Sequence, residues 1–218
     1  MLPRTMTFPN ATIGILVGLH AEARIARALG PVQIGGGLPP GARAATLRLI
    51  ETGATALLSF GLAGGLDPNL PPGTLVIPAQ ILHHGQTYPA DPALLSWLGG
   101  PTTPLLLATD TPIATATAKH TLFTNTGATA VDLESGELAS IATAHRLPFA
   151  ALRVICDPAT ATLPPAALAA LDSSGAIGAL RIAASLLRHP TQLPALLRLA
   201  ADAAAAHATL RQHTASLP

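Results

Sequence analysis

Short apolar runs rich in β-branched residues alternate along this chain with longer segments of helical periodicity. The apolar runs predict strands at residues 12–17, 56–60, 75–82, 105–109, 129–133 and 149–156. The segments between them predict helices at residues 20–29, 42–52, 93–98, 114–122 and 135–145. This alternation favours an α/β sandwich whose central sheet is parallel or mixed.

The length of 218 residues suits one domain with a full core. The Pro- and Gly-rich stretches are of loop size and none of them marks a linker, so we predict a single domain over residues 1–218. From about residue 164 onward the sequence is Ala- and Leu-rich and predicts helices, with breaks near Pro190 and Pro194.

The composition is unusually apolar. Charged residues make up 11% of the chain and hydrophobic residues 49%, which implies a surface that is apolar or covered. We therefore expect a homodimer or a lipid-like partner, although a GC-rich genome that favours Ala, Pro and Arg would give the same composition. The net charge of +1, without a basic cluster, argues against nucleic acid as a partner.

The single cysteine and the N-terminal segment bear on the compartment. Cys156 cannot form an intrachain disulfide, which fits a reducing, cytoplasmic environment. Arg4 and the apolar residues 11–19 resemble a signal peptide, but we favour a first core strand because residues 22–24 continue smoothly as helix. No apolar run reaches the ~18 residues that a membrane span requires.

Several well-known chemistries have no support in the sequence. The eight histidines are scattered, and the neighbours His83 and His84 would point to opposite faces of a strand, so we expect no metal site. Phosphate-binding loops ending in Gly-Lys-Ser/Thr, dinucleotide fingerprints and Gly-x-Ser-x-Gly elbows are absent. Cys156 follows an apolar run and is predicted to be a packed thiol rather than a nucleophile.

A glycine-rich segment, residues 59–66, directly follows the predicted strand at residues 56–60. Glycines at the end of a buried strand let the backbone turn sharply and come close to a ligand. We therefore predict that Gly61, Gly64 and Gly65 belong to a loop that contacts a small molecule.

Three carboxylates, Glu22, Glu134 and Asp157, stand where predicted strands end. Ligands of open α/β sheets gather at such ends, so these groups could converge on one edge. Burial would raise the pKa of Asp157 and suit it to general-acid catalysis, whereas the alternative is that Asp157 only starts a turn. Glu134 either binds a sugar diol or is a first-turn acid of a helix, and Glu22 is either an inward base or a solvated helix residue.

Five segments read together carry a family resemblance: Gly18 to Glu22, Gly61 to Gly65, Asp110 to Ile113, Asp132 to Glu134, and Cys156-Asp157. Gly18 to Glu22 resembles the Gly-x-x-x-Glu turn of the nucleoside phosphorylase and nucleosidase superfamily, and Gly61 to Gly65 resembles its glycine loop. Asp110 to Ile113 resembles its base-binding stretch. Asp132 to Glu134 resembles its Glu-Met-Glu ribose segment, and Cys156-Asp157 its Ser-Asp catalytic pair. From about residue 12 to 158 the layout is similar to the methylthioadenosine/S-adenosylhomocysteine nucleosidases. The chain departs from that pattern at Leu62, which replaces a serine, at Leu133, which replaces a methionine, and at Pro112, which replaces an aromatic residue.

The resemblance implies a three-layer α/β sandwich with a mixed central β-sheet flanked by helices, and an enzyme that cleaves an N-glycosidic bond. It implies that Asp157 protonates the leaving base at N7, that Glu134 holds the ribose 2′- and 3′-hydroxyls and that Glu22 orients the nucleophile. The other implied substrate contacts are Leu133, Ile113, Pro112, Gly61, Leu62, Ala63 and Gly64. No metal or organic cofactor is implied.

The nucleophile stays open between water and phosphate. Phosphorylases of this superfamily bind phosphate with several arginines and a serine of the glycine loop. Glu22 and Leu62 stand in the regions of one such arginine and of the serine, which is the nucleosidase pattern. Arg24 and Arg43 are the candidate phosphate ligands, since arginine binds oxyanions with two parallel hydrogen bonds.

Within the superfamily, residues 36–43, 57–66 and 131–135 most resemble the bacterial hopanoid-associated phosphorylases. That resemblance implies adenosylhopane as the substrate, with adenine released in hopanoid biosynthesis. A methylthioadenosine/S-adenosylhomocysteine-type nucleosidase of purine salvage is the alternative, and a non-catalytic nucleoside- or lipid-binding protein of the same fold is another.

The C-terminal region suggests a place for contact with a membrane. Leucines and an isoleucine interleave there with arginines: Leu180, Ile182, Leu186, Leu187, Leu193, Leu196, Leu197 and Leu199 with Arg181, Arg188, Arg198 and Arg211. Such a segment can lie in the headgroup region, so we predict a peripheral contact with the inner membrane. Packing on the core or across a dimer interface shows the same periodicity and stays an alternative.

Overall fold

One mixed β-sheet runs through the protein, whose computed structural model describes residues 11–170 and 178–218. The strands are β1 (Ile13–Val17), β2 (Val32–Ile34), β3 (Ala56–Gly65), β4 (Leu75–Val76), β5 (Pro78–His83), β6 (Gln86–Pro89), β7 (Thr103–Ala108), β8 (Ala130–Asp132) and β9 (Phe149–Asp157). The helices are α1 (His20–Ala26), α2 (Pro39–Glu51), α3 (Pro92–Trp97), α4 (Ala116–Thr126), α5 (Ser135–Ala144), α6 (Pro165–Ala170), α7 (Ala179–Arg188) and α8 (Leu193–Ser216).

Strand β3 is the centre of the sheet because it pairs with three others. It is parallel to β1 and β9 and antiparallel to β8 at Gly64 and Gly65. The main path of the sheet has the order β2-β1-β3-β8-β7-β5-β6, and β4 pairs with the far side of β9. Parallel and antiparallel pairs therefore occur together, as a mixed sheet requires.

Helices cover both faces of this sheet. The adjacent residues Leu57 and Leu58 of β3 point to opposite faces and enter two different core clusters. The first cluster lies beneath α2 and α5, where Leu49 and Leu138 are fully buried. The second lies beneath α1, α3 and α8, and includes Leu210. The expectation of a three-layer α/β sandwich with a mixed central sheet is confirmed.

The predicted glycine loop is wrong, because β3 continues through it to Gly65. Pairing with β9 extends from Leu57 to Gly64, and β8 adds backbone hydrogen bonds at the end of the strand. A backbone that lies between two neighbours gains ladder hydrogen bonds that a turn would forgo, so tertiary pairing overrides the turn propensity of glycine.

Other elements also differ from the sequence expectation. The predicted strand at residues 75–82 divides into β4, which pairs with β9, and β5, which pairs with β7. Helix α2 begins at Pro39 rather than at residue 42, because proline is tolerated in the first helical turn. The strands β2 and β6, of three and four residues, have too little periodicity to be predicted.

The C-terminal region is mostly helical where it is described, as expected from residue 164. Helix α8 is held to the body of the protein by Leu210 in the core and by two hydrogen bonds: Thr209 Oγ1 donates to the Gly73 carbonyl at 3.1 Å, and His213 Nε2 lies 2.9 Å from the Leu98 carbonyl. Arg4 and residues 171–177 lie outside the described residues. The single domain over residues 1–218 stays a prediction.

The leucines proposed for membrane contact fall into two groups. Ile182, Leu186, Leu196 and Leu199 are partly buried, whereas Leu180 (86% exposed), Leu187 (87%), Leu193 (46%) and Leu197 (62%) face outward. Burial within the protein therefore accounts for only half of the pattern. None of the helices in residues 11–170 and 178–218 is both long and apolar enough to cross a membrane.

Two leucines on α8 test how this helix is seated. Leu210→Ala should lower the free energy of unfolding by about 2–5 kcal/mol, because it leaves a cavity beneath a fully buried side chain. Leu197→Ala, on the exposed side of the same helix, should change it by less than about 0.5 kcal/mol. Urea titrations of the two variants measure both values, and equal losses would contradict the described orientation of α8.

Candidate active site

A fully buried guanidinium stands at the centre of the site. Arg153 lies in the middle of β9, and its Nη2 is 2.6 Å from Asp132 Oδ2 and 2.5 Å from Ser59 Oγ. Its Nη1 is 3.4 Å from Glu134 Oε2 and 3.4 Å from the Leu62 carbonyl. Burial lowers the pKa of Arg153, but the neighbouring acids, Asp132 first, raise it by more than burial lowers it. The pKa is therefore above its ordinary value and the group stays charged.

Asp132 and Ser135 connect this guanidinium to the start of α5. The Asp132 carboxylate accepts hydrogen bonds from the Ser135 backbone N–H at 3.2 Å and from the Ser135 hydroxyl at 2.5 Å. Arg153 Nη2 also donates to Ser135 Oγ at 3.2 Å. The network therefore joins β3, β8, β9 and α5 through buried polar groups, which hold each other in place.

Glu134 is the acid that this network perturbs most. It is 4% exposed and accepts a hydrogen bond from the Gly37 backbone N–H at 3.2 Å. Burial raises the pKa of Glu134 to about 7; Arg153 opposes this rise, and the charges of Glu22 and Asp132 add to it. The carboxyl therefore exchanges a proton near neutral pH.

Glu22 points inward and is held by three backbone N–H groups. Its Oε2 accepts hydrogen bonds from Gly18 at 2.9 Å and Leu19 at 2.8 Å, and its Oε1 accepts one from Leu62 at 2.9 Å. The first two come from the turn before α1, where a glutamate in the first helical turn commonly folds back onto the preceding backbone. Of the two readings left open by the sequence, the structure favours the inward one.

Glycine 61 is needed where these groups meet. A Cβ atom on Gly61 would lie 2.5 Å from Glu22 Oε1 and 2.9 Å from Arg153 Nη1, and the residue has a φ of 152°. A Cβ on Gly18 would likewise lie 3.0 Å from both carboxylate oxygens of Glu134. The glycines of these segments therefore make room for the side chains of the site rather than for a turn.

Asp157 forms a second buried ion pair, at the end of β9. Its Oδ2 lies 2.6 Å from Nζ of Lys119, a fully buried residue of α4. The same ammonium donates hydrogen bonds to the carbonyls of Pro158 and Ala161, both at 3.0 Å, so it also fixes the turn after the strand. Asp157 Oδ1 is buried and has no hydrogen-bond partner among the described residues.

Burial raises the pKa of Asp157 above its ordinary value, while the hydrogen bond and charge of Lys119 lower it and the charge of Asp202 adds to the rise. The register between β3 and β9 shifts at this point, so that Asp157 stands opposite Gly64. Cys156 precedes it, and burial, with Asp157 and Glu22, raises the pKa of its thiol to about 12, which fits a packed thiol.

The remaining predicted contacts surround these two ion pairs. Leu62 and Leu133 are both half-buried. Leu62 donates its backbone N–H to Glu22, and Leu133 directly precedes Glu134. Ala63 is buried in β3. A Cβ on Gly64 would lie 3.5 Å from Asp157 Oδ2 and 3.3 Å from Val131. The half-buried Ile113 packs in the same cluster as Val131, and Pro112 precedes it.

The two arginines expected to bind phosphate in the site are not found there. Arg43 is exposed and pairs with Glu137 at 3.5 Å, whereas Arg24 lines a groove between α1 and α8. Arg24 follows Glu22 by two residues, which places the two side chains on nearly opposite sides of a helix. The guanidinium that does meet the carboxylates is that of Arg153.

His83 and His84 do not point to opposite faces, which corrects the sequence expectation. Their rings stack with centroids 3.8 Å apart, because His84 adopts a left-handed conformation, with a φ of 49°, in the turn after β5. His84 Nε2 also lies 2.8 Å from Asp110 Oδ2. One ligand atom from each of His83, His84 and Asp110 lies within 4.8 Å of the others, so these residues could hold a metal ion, and the expected absence of a metal site stays a prediction.

Sequence reasoning missed Arg153 and Lys119, and both had a signal. Arg153 is the one charged residue in the apolar run of residues 149–156. Lys119 is the only lysine in the chain, which otherwise uses arginine for its cations. A charge inside a buried strand must be paired, so the first signal implies an acidic partner.

Comparison with known proteins agrees with this fold. The sequence model of the phosphorylase superfamily matches residues 19–95 and 104–188. No curated protein sequence is significantly similar to the chain.

Solved structures with a similar fold include two bacterial nucleosidases and a bacterial futalosine hydrolase. A methylthioadenosine/S-adenosylhomocysteine nucleosidase variant of Helicobacter pylori, with 5′-methylthioadenosine in its active site, aligns with a TM-score of 0.66 at 16% identity over 95% of this chain and 100% of that one. The corresponding nucleosidase of Streptococcus pneumoniae gives 0.62 at 17% identity over 68% and 87%. A futalosine hydrolase variant of Helicobacter pylori gives 0.59 at 16% over 67% and 89%.

The raised pKa of Glu134 makes stability depend on pH. A folded-state pKa of about 7, above the ordinary 4.5, means that this contribution to stability is complete below pH 4.5 and is lost as pH rises through 7. The loss is on the order of 3 kcal/mol. Glu134→Gln should remove it, as measured by urea unfolding across this pH range. Glu137→Gln, which removes a charge from the surface of α5, should leave it intact, and identical pH profiles of the two variants would refute the assignment.

Proposed function

Because the chain belongs to the phosphorylase superfamily, we propose that it cleaves the N-glycosidic bond of a 5′-substituted adenine nucleoside and releases adenine. The main support for the proposal is that two separate groups of buried carboxyl side chains lie beside one pair of strands, β3 and β9. Glu22 and Glu134 meet near Arg153, and Asp157 stands four residues further along β9.

The ribose would bind at Glu134. An ionised carboxylate accepts hydrogen bonds from two neighbouring hydroxyls at once, as the 2′- and 3′-hydroxyls of ribose require. The pKa of Glu134, raised by burial to about 7, leaves much of the group ionised at neutral pH. Leu133 and Leu62 supply the apolar surface beside it.

Asp157 would protonate the adenine at N7. As the bond between C1′ and N9 breaks, its electron pair moves into the base, and the proton from Asp157 makes adenine a neutral leaving group. Burial raises the pKa of Asp157 and so favours the protonated form that this step needs. Lys119 holds Oδ2, and Oδ1 has no partner among the described residues and is free to face the base.

Glu22 would orient the nucleophile that bonds to C1′. Its carboxylate accepts three backbone hydrogen bonds, which hold it in a fixed position. A fixed negative charge attracts the protons of water and repels a phosphate dianion, and Arg24 and Arg43 lie elsewhere. These features favour hydrolysis, with phosphorolysis as the alternative that the assay below distinguishes.

For the substituent at the 5′ position we propose a large hydrocarbon, with adenosylhopane as the substrate. Leu62 and Pro112 stand where the resembled nucleosidases have a serine and an aromatic residue, and the composition is strongly apolar. A methylthioadenosine-type nucleosidase is the second candidate, supported by the fold shared with such enzymes. A non-catalytic binder of the same fold is the third.

One assay separates these candidates. The protein is incubated with adenosylhopane or with methylthioadenosine, each with and without phosphate, and adenine release is followed. We expect release from adenosylhopane without phosphate. Release from methylthioadenosine alone would support the salvage enzyme, dependence on phosphate would support phosphorolysis, and no release from either would leave a binder and refute catalysis.

Asp157→Asn tests the proton donor. The asparagine keeps the shape but cannot deliver a proton, so kcat for adenine release should fall by about two to four orders of magnitude. Asp91→Asn is the matched control, because Asp91 caps α3 and asparagine caps a helix equally well. Near-normal release by Asp157→Asn would contradict the assignment.

We also propose that the protein is cytoplasmic and that α7 and the first turns of α8 contact the surface of the inner membrane. Leu180 and Leu187 are exposed and lie two turns apart on one side of α7. Arg188 and Arg198 are exposed nearby and form no ion pair with any described residue, so they suit anionic headgroups. The second copy of a homodimer is the other occupant that such a face would accept.

Co-sedimentation with anionic vesicles at low salt tests this contact. The wild-type protein should bind, and the double variant Leu180→Ser with Leu187→Ser should bind much less. Because both side chains are exposed, the variant should unfold at the wild-type temperature. Absence of wild-type binding would refute the membrane contact, and a variant that turns from dimer to monomer in analytical ultracentrifugation would identify the face as a dimer interface instead.

A further inference from the structure

A second potential binding site lies away from the carboxylates, in a groove of about 570 Å³ between α1 and α8. Its polar lining consists of Arg24 from α1 and of His207, Arg211 and Thr214 from α8. No acidic residue is among those that line it, and neither are Glu22, Glu134 or Asp157. The groove is therefore distinct from the site of the proposed cleavage.

The two arginines of this groove carry uncompensated charge. Both Arg24 and Arg211 are exposed, and neither makes an ion pair or a side-chain hydrogen bond with the residues that the structure describes. Two guanidinium groups that face the same groove repel each other, and an anion placed between them turns that repulsion into attraction.

Two further polar groups in the wall have no partner. His207 Nε2 and Thr214 Oγ1 are buried, and within residues 11–170 and 178–218 neither finds a hydrogen bond. Thr214 is only 8% exposed, so its hydroxyl is not simply solvated. Buried polar groups are nearly always hydrogen-bonded in folded proteins, and a ligand in the groove would satisfy both.

We propose that this groove binds the phosphate group of a phosphate ester. Guanidinium groups donate paired hydrogen bonds to phosphate oxygens, and the imidazole and the hydroxyl of the wall are further potential donors. The volume exceeds what a phosphate group alone needs, and Ala21 and Ile25 offer apolar wall to the organic part of the ester. The ester comes either from a soluble metabolite or from the headgroup of a phospholipid.

Inorganic phosphate tests the soluble source. A ligand that binds the folded state raises its melting temperature, so the melting temperature of the full chain is measured in phosphate and in chloride at equal ionic strength. Phosphate should stabilise the wild-type protein. Arg24→Gln and Arg211→Gln should each weaken the apparent affinity by roughly tenfold or more, as the loss of a charge-assisted hydrogen bond predicts.

Arg27→Gln is the matched control, because Arg27 is exposed at the end of α1 and does not line the groove. Melting in chloride shows that each variant is folded. A loss of phosphate stabilisation that is as large in Arg27→Gln as in the groove variants would overturn the proposal, since it would reflect net charge alone.

Vesicles test the lipid source. The wild-type protein and the variants Arg24→Gln, Arg211→Gln and Arg27→Gln are sedimented with two kinds of vesicle. One kind is phosphatidylcholine alone, and the other contains phosphatidylcholine and phosphatidylglycerol in equal amounts. Binding to the mixed vesicles that is lost in Arg24→Gln and Arg211→Gln but kept in Arg27→Gln would assign the headgroup. If the binding of phosphate and the binding of these vesicles are both independent of Arg24 and Arg211, the proposal is refuted. No nucleoside is used, so this result is independent of whether adenine is released.

Discussion

The buried guanidinium of Arg153 is the interaction on which the rest of the site depends. A charge in the middle of a strand is tolerated only when it is paired, and Arg153 pairs with Asp132 and Glu134 while its charge also offsets that of Glu22. Removing the cation would leave three acids close together in a poorly solvated space. Arg153 thereby holds β9, β8 and the start of α5 in one arrangement, and the acids can be close only because the cation stands between them.

The glycines of β3 are the second constraint. Because β3 is paired along its length, its backbone is fixed by ladder hydrogen bonds and cannot move aside for a bulky group. Space for Glu22 and Arg153 must then come from the missing side chain of Gly61. A site built on paired strands is held more rigidly than one built on a loop, which suits chemistry that requires fixed acids.

The sequence predicts most of the sheet, because β1, β7 and β9 are long apolar runs, and the resemblance identifies the carboxylates at the strand ends. It does not predict which cations meet them. Arg153 contacts Ser59 and Asp132 on other strands of the sheet, and Lys119 contacts Asp157 of β9 from helix α4. These pairings therefore depend on tertiary contacts rather than on local sequence pattern. Arg24 shows the converse error, because nearness in sequence to Glu22 suggests a shared site that helical geometry forbids.

Lys119 also gives the protein an unusual chemical property. It is the only lysine in the chain, and its side chain is fully buried beneath the turn that follows Asp157. A reagent that acylates amines reaches this nitrogen only when α4 and that turn separate. The extent of side-chain labelling therefore reports how often this corner of the fold opens, and any ligand that holds Asp157 in place slows the labelling without touching the lysine itself.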